Sequence, residues 1–155
     1  MPQCCEHHNC IEELTANHKE ILAKTDELEK AVGMTLDLDK VKEFLEFTEN
    51  YAEPHHHKEE KVLFPALEKK GIPNEGGPIG VMLAEHEIKR GLVKELRKAV
   101  KDVNEDKIKE NALAIVSLLR DHIFKEDNIL YPCAKDALSE KELADLAGQC
   151  EKIKS

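Results

Sequence analysis

Apolar residues recur three and four positions apart through four long stretches of the chain, the spacing of a single helical face. The first stretch, from about Ile11 to Val32, sets Ile11, Leu14, Ile21, Leu28 and Val32 on one stripe, together with His18 and Thr25. Gly33 follows as a natural stop. Asp37 or Asp39 can cap a second helix that runs to about Lys70, before Gly71. Residues 71–78, GIPNEGGP, read as a linker between two halves. A third helix is predicted from about Ile79 to Val100, and Asn104 can cap a fourth that ends near Pro132 to Asp136. Ser139 and Glu142 have the spacing of a capping box and open a short fifth helix. Pro54 should kink the second helix. The pattern predicts an all-α fold: an up-down-up-down four-helix bundle with a short fifth C-terminal helix.

The two halves repeat one another. ELEKAV at Glu27–Val32 returns as ELRKAV at Glu95–Val100, and the same shift carries His18 to His86. His55-x-x-x-Glu59 returns as His122-x-x-x-Glu126, and Leu63-Phe64-Pro65 as Leu130-Tyr131-Pro132. Such a repeat organises the whole fold, here as two antiparallel helices per half.

Helical phase selects among the polar residues. With His55 at zero and a step of about 100° per residue, Thr48 and Ala66 fall near 20°, Glu59 near 40° and Val62 near −20°. His56 falls near 100°, at the stripe's edge, and Glu60 near 140°, beyond it. Periodicity and the repeat therefore both select His55 and Glu59. His122 and Glu126 share a stripe with Ile115, Leu118, Leu119 and Ile129. His86 shares one with Ile79, Met82, Leu83 and Val93, and His18 one with Leu14, Ile21 and Leu22. A single histidine on an apolar stripe is usually a satisfied core residue, and a single His-x3-Glu is usually a surface pair. Two inward carboxylates are different. Burying each costs several kcal/mol unless a cation offsets it, and a pair of metal ions between the helices supplies that charge.

Composition narrows the classes. Charged residues are 35% of the chain and aromatics 4%, which suits helices better than sheets. The net charge of −9 argues against nucleic-acid and anionic-membrane partners, and no apolar run approaches a membrane span. Five cysteines, an odd count, with no secretory signal visible, read as reduced thiols in a cytoplasm. Cys4, Cys5, His7, His8 and Cys10 lie on an N-terminal stub, residues 1–10, ahead of a bundle domain at 11–155. The stub can offer a soft metal site or thiol chemistry but lacks zinc-motif spacing, and reads more simply as a frayed terminus.

In this order, His18 in NHKEIL, His55 and Glu59 in HHHKEEKVLFP, His86 in GPIGVMLAEHE, and His122 and Glu126 in DHIFKEDNILYP resemble the hemerythrin-like, or HHE cation-binding, family. Within it these motifs look closest to the di-iron proteins of iron–sulfur repair and nitric-oxide response, which carry a Cys-Cys pair in a separate N-terminal domain. The resemblance covers about residues 8–138. It implies a non-haem site of two iron ions, with the matched histidines as terminal ligands and the matched glutamates bridging along with an oxo or hydroxo group. Mn or Zn also suits such ligands. Oxygen carriers of the family use five histidines; this chain offers four well-placed ones, and His56 becomes a fifth only if the helix is locally distorted.

The expected function is binding of O2, NO or peroxide at the di-iron site, for sensing, scavenging or iron donation, with an unspecified redox partner. One alternative is a redox enzyme of peroxidase or NO-reductase type, for which Tyr51, one turn before His55, is a candidate relay, although a core-edge tyrosine is the simpler reading. The other is a metal storage or delivery module without redox chemistry.

Overall fold

A computed structural model describes residues 9–153. Four long helices and one short one make up the fold. α1 spans Cys10–Ala31, and the Asn9 side chain accepts from the backbone N–H of Glu12 to cap it. α2 covers residues 38–69 and begins after Asp37, whose carboxylate accepts from the Lys40 N–H. α3 is Gly77–Lys101. α4 covers residues 105–137, with Asn104 accepting from the Lys107 N–H at its start. α5, Glu140–Cys150, opens on the expected capping box of Ser139 and Glu142. At four of these five starts a side chain thus accepts from one of the orphan N–H groups, whereas α3, after Gly76, has no side-chain cap. In the 71–78 linker, Gly71 (φ 94°) ends the hairpin of α2, and Gly76 (φ 67°) leads into α3; both lie in the left-handed region that glycine adopts without strain. Among the described residues no helix is long and apolar enough to cross a membrane.

α2 and α4 are not uniform. π-helical turns occupy Thr48–Ala52, Glu59–Leu63 and Glu126–Leu130. Each ends two residues before a proline: Pro54, Pro65 and Pro132. Proline lacks the N–H that the carbonyl four residues back expects, and its ring crowds that carbonyl. A turn closed over five residues gives the ring room and lets the helix continue. The kink expected at Pro54 therefore takes the form of a π turn within an unbroken α2. The same device corrects one stripe assignment. Ile129, expected on the buried face of α4, is 52% exposed, and Leu130 is buried in its place. The turn at 126–130 holds one residue more than an α turn, so the inward face moves on by one.

The core is divided in two. One apolar cluster gathers the N-terminal turns of α1, the ends of α2 and α4, the start of α3, and Leu143, Leu146 and Cys150 of α5. The other gathers the distal halves of α1 and α3 with the first parts of α2 and α4. Between them, every long helix presents buried polar side chains: His18, His55–Glu59, His86 and Lys89, and His122–Glu126. Cys4, Cys5, His7 and His8 of the stub lie outside the described residues, whereas Cys10 is the buried first residue of α1.

Candidate metal centre

The polar layer brings all six sequence-selected residues together. His18, His55, Glu59, His86, His122 and Glu126 are each at most 2% exposed. Together with His56 they form two groups of potential ligands that share Glu59: His18, His55, Glu59 and Glu126, and His56, Glu59, His86 and His122. Within each group the ligand atoms lie within 4.8 Å of one another. Both carboxylates reach across the layer. Glu59 Oε1 is 3.2 Å from His86 Nε2, while its Oε2 is 3.7 Å from His55 Nε2. Glu126 Oε1 is 2.9 Å from His18 Nε2, while its Oε2 is 3.2 Å from His122 Nε2.

These atoms fit a cation better than they fit one another. Among the described residues, His55 Nε2, His56 Nδ1, Glu59 Oε1, His86 Nε2, His122 Nε2 and Glu126 Oε2 are buried with no hydrogen-bond partner. The contacts at 3.2 Å lack hydrogen-bond geometry. So many unsatisfied polar atoms in one place are costly, and imidazole nitrogens with carboxylate oxygens are a donor set for divalent and trivalent iron, manganese or zinc.

The electrostatics of the metal-free layer carry the same message. Burial works against protonation of His18, yet Asp127 and Glu126 outweigh it and raise the group to about 9. His86 is likewise raised to about 9, with burial overcome by Glu59 and Glu60. Burial also opposes the charge of Glu126, but Glu59, His122 and His18 hold it well below the usual carboxylate range. His55, by contrast, is driven down to about 3 by burial. Without a metal, protons stand in as the cations of this layer.

Four imidazoles are held from behind. His18 Nδ1 donates to Asp127 Oδ1 (2.8 Å), His55 Nδ1 to Asn17 Oδ1 (3.0 Å), His86 Nδ1 to Glu60 Oε2 (2.7 Å) and His122 Nδ1 to Glu85 Oε1 (2.9 Å). An acceptor at Nδ1 keeps a proton there and turns the Nε2 lone pair inward, the tautomer a metal needs. The repeat extends to these partners. Asn17 and Glu85 each precede a selected histidine, and Glu60 and Asp127 each follow a selected glutamate. Basic residues steady two of them: Arg90 donates to Glu60, and Lys125 donates to Glu85.

Three features were not among the selected residues. His56 is only 2% exposed and aims Nδ1 at the cluster, 3.9 Å from Glu59 Oε1. Uniform α phase puts it at the edge; with π turns on both sides, the Glu53–Lys58 segment faces the centre with both His55 and His56. Tyr131 donates from Oη to Glu59 Oε2 at 2.6 Å, and its ring stacks on His18 with centroids 5.3 Å apart. Burial, and then Glu126 and Glu59, raise its phenol well above the usual value, so the proton stays on. Phe64, its repeat counterpart, stacks on His86 instead. Lys89 is fully buried, with Nζ 3.3 Å from His56 Nε2 and 3.6 Å from Glu53 Oε2. Tyr51, the candidate relay, does not reach the cluster: its Oη accepts from Asn17 Nδ2, and its ring stacks on Phe47.

The family model described as the hemerythrin HHE cation binding domain matches residues 9–134, all four long helices up to the last turn of α4. No curated protein matches the chain.

Proposed function

Because the chain belongs to the hemerythrin HHE cation-binding domain family, we propose that it holds two iron ions in the polar layer and binds O2, NO or peroxide there, for sensing, scavenging or iron donation. In this reading His18 and His55 serve one ion, and His86 and His122 the other. Glu59 and Glu126 span the two, with an oxo or hydroxo group between. The observation that carries it is the reach of both carboxylates, each with one oxygen near histidines of α1 or α2 and the other near histidines of α3 or α4. A single ion would leave half of these atoms unsatisfied. Iron so held supplies reversible binding or reduction of small molecules; the chain orients the imidazoles through Asp127, Asn17, Glu60 and Glu85 and excludes bulk water. The reading includes a cytoplasmic setting, resting on five cysteines, an odd number, that pair poorly as disulfides.

A redox-enzyme reading draws on Tyr131, whose phenol proton sits against Glu59 inside the layer. Turnover of peroxide or NO by the iron-loaded chain separates it from simple binding.

Metal analysis with a visible spectrum of aerobically purified protein tests the main reading. Two irons per chain and a coloured protein, with absorption that the metal-free chain lacks, are expected. His55→Ala and Glu59→Ala should lose metal. Retention of two irons by these variants overturns the assignment, and a colourless zinc-loaded protein points instead to storage or delivery.

A further inference from the structure

His56 and Lys89 break the internal repeat. The shift that carries His55 to His122 carries His56 to Ile123, and the shift that carries His18 to His86 carries Ile21 to Lys89. Each half of the repeat therefore places one buried polar group in the layer, His56 in the first and Lys89 in the second, where its counterpart in the other half is an isoleucine. A lysine at 1% exposure is rare and needs partners, and here they are the Glu53 carboxylate at 3.6 Å and the ring of His56 at 3.3 Å.

The polarity of that second contact decides what His56 can do. An ammonium has donors and no acceptor. Its partner Nε2 must then offer a lone pair and carry no proton. A neutral imidazole has one proton, which falls on Nδ1, the nitrogen facing Glu59, His86 and His122. The other four inward histidines are the reverse: each has an acceptor behind Nδ1, which leaves Nε2 as the inward nitrogen whose lone pair a metal can take once any proton there is displaced. His56 alone is backed by a donor.

We propose that Lys89 is a positioning residue that locks the proton of His56 on Nδ1, so that His56 faces the centre as a hydrogen-bond donor and not as a metal ligand. This deepens, and rests on, the reading of the layer as a metal centre. An ion held by His86 and His122 would then draw one ligand fewer than the buried imidazoles around it suggest, and His56 would hold an N–H toward it. The ligand class that fits is a small molecule or anion with a lone pair next to its metal-binding atom. Lys89, Leu118 and Leu119 line a void beside the same imidazoles that is too small to hold a water molecule.

The direct test is ring-nitrogen NMR of protein with 15N-labelled histidine, metal-free and loaded with zinc. His56 should show a protonated Nδ1 and an unprotonated Nε2 in both forms. A proton on Nε2, or a His56 nitrogen shifted as a zinc ligand, overturns the proposal. In Lys89→Met the Nε2–H form should appear; an unchanged tautomer removes Lys89 from the account. His56→Ala should keep two zinc ions per chain with affinity within about threefold, while azide binding to the iron-loaded form weakens about tenfold, the scale of one lost hydrogen bond to a charged group. Loss of one zinc from His56→Ala overturns the donor role. If Lys89→Met does not fold, the wild-type spectrum and His56→Ala still decide. Wild-type protein that takes up neither zinc nor iron contradicts the metal reading itself, and the proton position in the metal-free ring remains separately readable.

Discussion

Tyr131 Oη and Glu59 Oε2 lie 2.6 Å apart, a hydrogen bond between α4 and α2 in which a phenol donates to a fully buried carboxylate. Tyr131→Phe removes the donor and keeps the ring, and Phe64 at the matching place in the other half shows that a phenyl ring fits such a site. The metal-free variant should lose about 1.5–3 kcal/mol, the range for hydrogen bonds to charged groups. Denaturant unfolding of chelator-treated protein measures it. A change below about 0.5 kcal/mol would mean that the bond contributes little beyond packing.

Stability of the metal-free chain should fall as pH rises from about 6.5 to 9. His18 and His86 titrate near 9 when folded, above the ordinary 6.5. A raised histidine contributes stability that is full below its unfolded value and is lost through its folded value. Lys89, lowered to about 8 chiefly by burial, acts in the opposite sense, but its relief begins only above about 8. On the acid side, His55 at about 3 removes stability as pH falls below 6.5. Thermal unfolding across pH 5–9 should give a maximum near pH 6.5.

Loading at neutral pH should release protons, because His18 and His86 hold them in the metal-free layer and a metal displaces them. Titration calorimetry in buffers of different ionisation enthalpy counts them. About two protons per chain are expected from these two groups, and apparent affinity should rise with pH between 7 and 9. A buffer-independent heat would contradict the assignment of these histidines as ligands.

Glu60→Gln and Glu85→Gln should fold but bind metal about 10- to 100-fold more weakly, since each removes the carboxylate that orients an imidazole. Competition with a chromophoric chelator gives the affinity. An unchanged value for both would show that packing alone sets the rings.

Ser139→Ala should cost about 1 kcal/mol by opening the capping box of α5. Thermal unfolding reads the loss, and metal stoichiometry should not change, because α5 contributes no side chain to the polar layer.

Most of the bundle was legible in the chain. Asn9 apart, the cap residues Asp37, Asn104 and Ser139 follow ordinary capping chemistry, and the stripe from Ile11 to Val32 is buried along its length. The six clustered residues were legible because the repeat and the α phase agree on them. Ile129 and His56 were misjudged for one shared reason: a constant 100° step does not hold through a π turn, and of the three prolines that mark those turns only Pro54 was read as a kink, with Pro65 and Pro132 read as parts of the repeat. Lys89 sits where a surface lysine would pass unnoticed; its burial depends on Glu53 and His56, which α2 brings to it across the bundle. Tyr131 was read as a flanking aromatic, since nothing local distinguishes its role from that of Phe64.

The π turns also make the ligand segments intolerant of length change. In both halves the glutamate opens a wide turn and a proline closes it at the same separation, Glu59 to Pro65 and Glu126 to Pro132. Remove one residue between them and the surplus that seats the ring is gone, while everything downstream swings by about 100°. Tyr131 would leave the interior and α5 would lose its footing. Point substitutions can drift freely on the outer face of these stretches, but insertions and deletions there are forbidden from both ends.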